Sequence, residues 1–177
     1  MILGLDLSLT ATGWAVIYFD GTTRTGTIPD AGNSIHIAER LDTWGRHLAD
    51  IIQNACNDSP DALVDIYVED LGGSQRGAFE LGMVHAAFWM ELTRPLIERT
   101  TMVNAATIKT YATGRGNSPK THVVVEAVKR LGYEGWDHNE ADALWLADMG
   151  ARLHGYDRPQ LPATHLRALD KLKPKAA

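Results

Sequence analysis

Ile2-Leu-Gly-Leu-Asp6, continuing through Leu7-Ser-Leu-Thr-Ala-Thr-Gly13 into Trp14-Ala-Val-Ile-Tyr-Phe-Asp-Gly21, sets the architecture of this chain. Ile2 to Leu7 reads as a buried strand that carries one acid near its end. Trp14 to Phe19 reads as a second strand, joined to the first through Ser8 to Gly13. Asp20-Gly21 is a hairpin signal leading into a third strand over Thr22 to Ile28. The opening is therefore a three-stranded meander. An ionised Asp6 among largely apolar neighbours is costly without partners, so its carboxylate must reach solvent, a partner or a metal.

Outward from the meander, Ile37, Leu41, Trp44, Leu48, Ile51, Ile52 and Ala55 recur at three- and four-residue steps and predict a long amphipathic helix ended by Asp58-Ser-Pro60. Leu63 to Glu69 predicts a fourth strand, apolar enough at its centre to be covered on both faces. Residues 78–93 are apolar around most of a helix, which predicts burial by the sheet and by a second surface. Pro95 to Val103 predicts a fifth strand. Helices follow over Ala105 to Thr113, Val123 to Leu131 and about Asn139 to Leu153, and Leu161 to Leu172 has the pattern of a short amphipathic helix. This order predicts an α/β fold, a five-stranded mixed sheet flanked by helices on both faces, which is the ribonuclease H-like arrangement. The expected division is a domain over residues 1–154 and a basic C-terminal tail over 155–177.

The bulk properties agree with one domain: 177 residues are enough to bury roughly two-thirds of the unfolded surface around a single core. The only cysteine, Cys56, excludes an intrachain disulfide and a multi-cysteine zinc cluster, and suits a reducing cytoplasm. No run approaches the ~18 apolar residues of a membrane span, and Met1 leads directly into a strand, so a soluble, cytoplasmic protein is expected. The net charge of −5 argues against unselective nucleic-acid binding, but it divides into +4 over residues 151–177 and −9 over the remainder. Any DNA contact must come from local basic patches, with divalent cations offsetting an acidic centre.

Two further acids sit where strands and helices end. Glu69 closes the most apolar strand with Asp70 beside it; neighbouring residues on a strand point to opposite faces, so only one can join Asp6, and phase alone does not choose. Asp142 lies in Asp137-His-Asn-Glu-Ala-Asp-Ala-Leu-Trp-Leu-Ala147, where Asn139 and His138 share its helix face and Glu140 does not. Ala141 and Ala143 are small enough to let that helix lie close to strand tips. Read alone, the segment is equally a capped helix start, with Asp137 or Asn139 as cap. Converging carboxylates repel and raise each other's pKa unless cations hold them. Mg²⁺ suits such oxygen ligands, and two ions about 4 Å apart serve phosphodiester hydrolysis.

Leu3-Gly-Leu-Asp6 with Thr12-Gly-Trp-Ala-Val16, then Val68-Glu69, then Gly114-Arg-Gly-Asn-Ser-Pro-Lys120, then Glu140-Ala-Asp-Ala-Leu-Trp-Leu-Ala147 resemble, in order, the signatures of the RuvC-type Holliday junction resolvases, particularly their phage-like branch. The resemblance implies a homodimeric endonuclease that nicks two strands of a four-way DNA junction symmetrically, in recombination, repair or processing of branched DNA, using Mg²⁺ or Mn²⁺. It implies that Asp6, Glu69 and Asp142 are metal ligands, which selects Glu69 over Asp70. It implies that Lys109 and Lys120 assist phosphate binding or catalysis, and that helix 78–93 is the dimer interface. Two-fold symmetry then matches a pseudo-symmetric junction.

The chain departs from that pattern twice. Where the family has an acid or His three residues before the last Asp, this chain has Asn139 with His138 beside it. A neutral ligand is thus expected from Asn139, or from His138 with a preference moved toward Mn²⁺. After Glu69, Leu71-Gly-Gly-Ser74 stands where some relatives carry a junction-wedging aromatic.

Among the basic residues, Arg76, Lys109, Arg115, Lys120 and Lys129 read by themselves as solvated surface. Gly114 and Gly116 flank Arg115 and let that loop approach a phosphate backbone, which favours Arg115 and Lys120 as DNA contacts. Asp6 to Gly13 also resembles the first phosphate loop of sugar kinases and actin-like ATPases, which need a second related domain that this length does not hold. A non-catalytic DNA-binding relative and a processor of ribosomal RNA precursors are the remaining alternatives.

Overall fold

The computed structural model of the protein describes residues 1–30, 36–58, 64–71 and 78–172. Strands β1 (Ile2–Asp6), β2 (Ala11–Ile17) and β3 (Thr23–Pro29) form the meander, and β4 (Asp65–Glu69) and β5 (Thr100–Val103) extend it into one sheet of order β3-β2-β1-β4-β5. The first three strands are antiparallel, whereas β4 runs parallel to β1 and β5 parallel to β4. Helices α1 (Ile37–Asp58) and α2 (Ala78–Glu91) cover one face. Helices α4 (Ala105–Thr113), α5 (Lys120–Leu131) and α6 (His138–Leu153) cover the other. This is the α/β, ribonuclease H-like architecture.

Strand alternation sorts the side chains between the faces. Leu3 and Leu5 pack with Ile66, Val68, Trp44 and Phe88 on the α1/α2 side, while Ile2 packs with Tyr67 and Trp145 on the α6 side. Gly4 and Asp6 share the phase of Ile2, so both face α6. Helix α6 lies very close to the sheet there: a Cβ on Gly4 would stand 2.1 Å from the Ala143 carbonyl oxygen, and one on Gly13 2.0 Å from that of Asn139. Ala141, Ala143 and Ala147, all fully buried, permit this approach. Because the obstacle is backbone, Gly4→Ala is expected to cost about 3 kcal/mol of folding stability, the upper range for overpacking. Urea denaturation checks this, and an unchanged midpoint would mean that α6 can retreat freely.

The start of α6 is fixed by its own polar residues. Asp137 caps it by accepting from the amides of Asn139 (2.8 Å) and Glu140 (3.0 Å). Glu140, pointing away from Asp142 as its spacing predicts, accepts from Thr27 (2.9 Å), Thr25 (3.3 Å) and the Tyr133 hydroxyl (3.1 Å), tying the helix to edge strand β3.

Three elements differ from expectation. Pro95 to Glu98 is not strand: Arg94–Glu98 forms a short helix, α3, with Pro95 in its first turn, and β5 begins only at Thr100. Proline's fixed φ suits a first helical turn, and its missing N–H makes a poor ladder member. Strand β2 begins at Ala11 rather than Trp14, because Ala11 to Gly13 pair with Pro29 to Thr27 of β3. Finally, α5 begins at Lys120, three residues before Val123. The amphipathic pattern over Leu161 to Leu172 forms α7 (Ala163–Leu166) and a 3₁₀ turn (Arg167–Lys171), with Leu161 and Ala168 buried in the core around α6. Arg158 reaches the fully buried Asp148 (2.5 Å), which also accepts from the Tyr111 hydroxyl (2.5 Å).

Helix α2 buries Val84, His85 and Phe88 against the sheet and leaves Phe79 and Met90 75% and 85% exposed. No described helix is long and apolar enough to cross a membrane.

Candidate active site

Three elements bring one carboxylate each to the same end of the sheet: Asp6 closes β1, Glu69 closes β4, and Asp142 lies in the second turn of α6. One oxygen from each lies within 4.8 Å of the others. The β1/β4 register explains the meeting of the first two. Leu5 pairs with Val68, so the next step puts Asp6 beside Glu69, and Glu69 shares the phase of Tyr67 on the α6 face. Asp70 has the opposite phase and is exposed.

The electrostatics follow from burial. Asp6 is held well above the ordinary carboxylate range by burial first, then by Glu69 and Asp142, with Lys120 opposing. Burial and the Asp142 charge push Glu69 up to about 7 against Lys120 and Lys109. Burial lifts Asp142 to about 6 against Lys120, Lys109 and His138. No hydrogen bond from a described residue relieves any of the three. Clustered oxygen donors that lack a counterion suit a hard divalent cation, which prefers oxygen ligands and neutralises their repulsion.

Asn139 lines the same cleft of about 510 Å³ as Asp6 and Lys120. Its amide nitrogen donates to the Ala11 carbonyl (2.7 Å), which orients the group and leaves its oxygen as the remaining polar atom. His138 is not a member of the 4.8 Å cluster; it acts on Asp142 through charge, and its buried Nδ1 has no partner among the described residues. After Asp6 the chain turns sharply, held by Thr12, whose hydroxyl donates to the Ser8 carbonyl (2.6 Å) and accepts from the Ser8 amide and Trp44 Nε1 (both 2.9 Å). The loop resembling a kinase phosphate loop is therefore a cleft wall, with Ser8 and Thr10 lining it.

Lys120 is the first residue of α5, and Lys109 is half-buried on α4; both act on the acidic cluster. Arg115 is exposed on the loop between these helices, where Gly114 adopts φ +79° as the left-handed cap of α4. Arg76 lies outside the described residues, as does most of Leu71 to Ser74. Lys129 pairs instead with Glu126 of its own helix (3.7 Å), away from the cluster's named cations.

Sequence reading missed Arg40 and Glu80, which line the same cleft as Lys120. Arg40 holds Asp30 through two bonds (3.1 and 2.9 Å). Both residues occupy polar faces of helices, where apolar periodicity is silent. Trp136 was also missed: it is 73% exposed on the loop leading into α6, where an aromatic between two helices reads as core.

No protein-family description matches the sequence, and no curated protein matches it. Among solved structures, the fold is similar to Thermus thermophilus RuvC, with a TM-score of 0.63 and 18% identity, covering 90% of this chain and 99% of that one. It is also similar to T. thermophilus RuvC in complex with a Holliday junction substrate, with a TM-score of 0.64 and 15% identity, covering 90% and 98%. At these identities the likeness concerns architecture, and the acidic cluster stands at the strand ends of that architecture: the chain has a RuvC-like fold.

Proposed function

We propose that the protein is a metal-dependent endonuclease that cuts four-way or branched DNA, acting in the cytoplasm as a homodimer. The observation that carries this reading is the convergence of Asp6, Glu69 and Asp142 within 4.8 Å in a RuvC-like fold. A neighbour of that fold was solved with a Holliday junction substrate. The three carboxylates would hold Mg²⁺ or Mn²⁺, two ions per site, with the Asn139 oxygen as a further ligand and His138 as the alternative. Such ions, when bound, supply an activated water and stabilise the leaving oxygen of a phosphodiester.

The protein's own groups do the rest. Lys120 and Lys109 bring positive charge to the rim of the acidic cluster, where a phosphate must dock, and Arg115 and Arg76 extend the backbone contact. Lys120→Ala is expected to lower the single-turnover rate by about a hundredfold to a thousandfold, the scale for losing one charge-stabilising group. An unchanged rate would assign Lys120 to ordinary surface. Residues 1–154 would carry the chemistry. The exposed Phe79 and Met90 on α2, with Met90 lining an apolar cleft together with Leu41, Met83 and Ala87, support α2 as the subunit interface. Sedimentation at micromolar concentration tests that, and a monomer would remove it.

Asn139, standing where the family carries an acid, favours one second reading, a DNA-binding relative without cleavage. One assay separates the possibilities: labelled four-way junction, duplex and structured RNA, each incubated with Mg²⁺, Mn²⁺ or chelator. Metal-dependent, symmetric nicking of the junction is the expected result. Binding without nicking would select the non-catalytic relative, and preferential cutting of RNA would select a precursor-processing nuclease.

A further inference from the structure

Helix α4 starts beside the active site, since its cap Asn104 follows Val103, the register partner of Glu69, and at its other end the last carbonyls have no partner within the helix. Two residues of the C-terminal segment supply them. His165, buried on α7, donates from Nδ1 to the Tyr111 carbonyl (2.8 Å), and Arg167 donates from Nη2 to the Gly114 carbonyl (3.0 Å). His165 also closes over Gly114 itself: a Cβ there would meet its Nε2 at 3.3 Å, on a residue already at φ +79°. A cation at a helix C-terminus is favourable in its own right.

Gly114 is where α4 turns into the loop that carries Arg115 and delivers Lys120 to the cluster. The far end of that loop is tied back to the end of α4 by the Thr113 and Ser118 hydroxyls (2.7 Å), with Ser118 buried. At the near end the Thr113 hydroxyl donates to the Arg115 carbonyl (3.1 Å) and accepts from its amide (3.3 Å), bonds made within the turn, while His165 and Arg167 join that turn to the C-terminal segment. The segment bearing them is itself anchored to α6, since Arg152 holds the Pro159 carbonyl (2.6 Å) and Arg158 holds Asp148. Helix α6 carries Asp142. One chain of bonds thus references the basic loop to the helix that presents Asp142.

We infer that His165 and Arg167 are positioning residues that set the Gly114–Lys120 loop against the active site, so that the C-terminal segment is a working part of the DNA-binding edge. The geometry stands without the nuclease reading; only the consequence for DNA rests on it. Arg167 is the residue to test, because its bond is exposed and its loss should not unfold the chain.

The experiment compares wild type with Arg167→Ala for trypsin cleavage after Arg115 without DNA, for melting temperature, and for affinity and saturated cleavage of a four-way junction. Cleavage after Arg115 should accelerate about tenfold, and the junction Kd should rise about tenfold, at an unchanged melting temperature. The saturated rate should stay within about twofold. A direct phosphate contact by Arg167 would weaken binding yet leave trypsin cleavage unaltered, so equal cleavage overturns the inference. Faster cleavage with undiminished junction affinity overturns it too. A wild-type protein that binds no branched DNA would sink the nuclease reading instead, and the trypsin comparison would still decide whether Arg167 holds the loop.

Discussion

Asp6→Asn, Glu69→Gln and Asp142→Asn are each expected to lower junction cleavage by about a thousandfold or more while junction affinity stays within about threefold. The rate loss follows because divalent ions supply several kcal/mol of charge stabilisation at the reacting phosphate, and each 1.4 kcal/mol is about a factor of ten. Affinity is spared if, as proposed, phosphate binding depends on Lys109, Arg115 and Lys120, which these substitutions leave in place. Removing a negative charge near the phosphate should, if anything, tighten binding. Single-turnover cleavage and gel-shift titration measure the two separately. Full activity in any one variant would remove that residue from the site. The Asn139→Asp variant is informative in the opposite direction: a fourth acid that raises activity at low Mg²⁺ would identify position 139 as a ligand.

The second large effect is on stability. Without divalent ions, the wild-type chain should lose stability as pH rises from about 4 to 8, by more than an Asp142→Asn variant does. The sign follows from the raised carboxyl groups. Glu69 and Asp142 sit near 7 and 6 in the folded chain, against 4.5 and 3.8 when unperturbed. Between these values the folded state holds protons that the unfolded state has released, so stability is full below pH 4 and falls as pH passes 6 to 7. Near pH 4 the two proteins should melt together. At pH 8 Asp142→Asn should melt about 5 °C or more above wild type, given about 2 to 4 °C per kcal/mol for a chain of this size. Added Mg²⁺ or Mn²⁺ should raise the wild-type melting temperature at pH 8, do so less at pH 5, and leave the variant nearly unmoved. Thermal melts with and without EDTA check each arm. An ion-independent melting temperature at pH 8 would argue that the three carboxylates do not hold a metal.

The two effects share a cause. A site that gathers carboxylates within 4.8 Å is destabilising while they are charged and unfilled, and the same unrelieved repulsion is what a bound cation would relieve. The close approach of α6 makes this possible. Gly4 and Gly13 admit its backbone, and without that approach Asp142 would stand a side chain's length further from the strand ends.

Much of this was legible in the chain. Apolar runs ending in acids, the Asp20-Gly21 hairpin, the helical period from Ile37 to Ala55 and the alanines around Asp142 are local signals, and local signals survive in one dimension. Even the outward turn of Glu140 was legible, because helical spacing decides which neighbours share a face. Arg40, Glu80 and Trp136 left no trace, since a polar or aromatic residue has no period of its own. The helix at Arg94–Glu98 was hidden inside an apolar run that reads equally as strand.

The sequence alone determined the type of every element except α3, the acids available at their ends and the basic loop before Lys120, because each depends on residues within a few positions. Tertiary structure decided between Glu69 and Asp70 by residue geometry, since strand phase says that they differ but only the Leu5 and Val68 register and the side taken by α6 say which one faces Asp6. It also decided that residues 155–172 belong with the core. The amphipathic pattern over Leu161 to Leu172 predicts a short helix but not its place, because the burial of Leu161, His165 and Ala168 depends on groups supplied by α4 and α6, more than fifty positions away for the Tyr111 and Gly114 carbonyls.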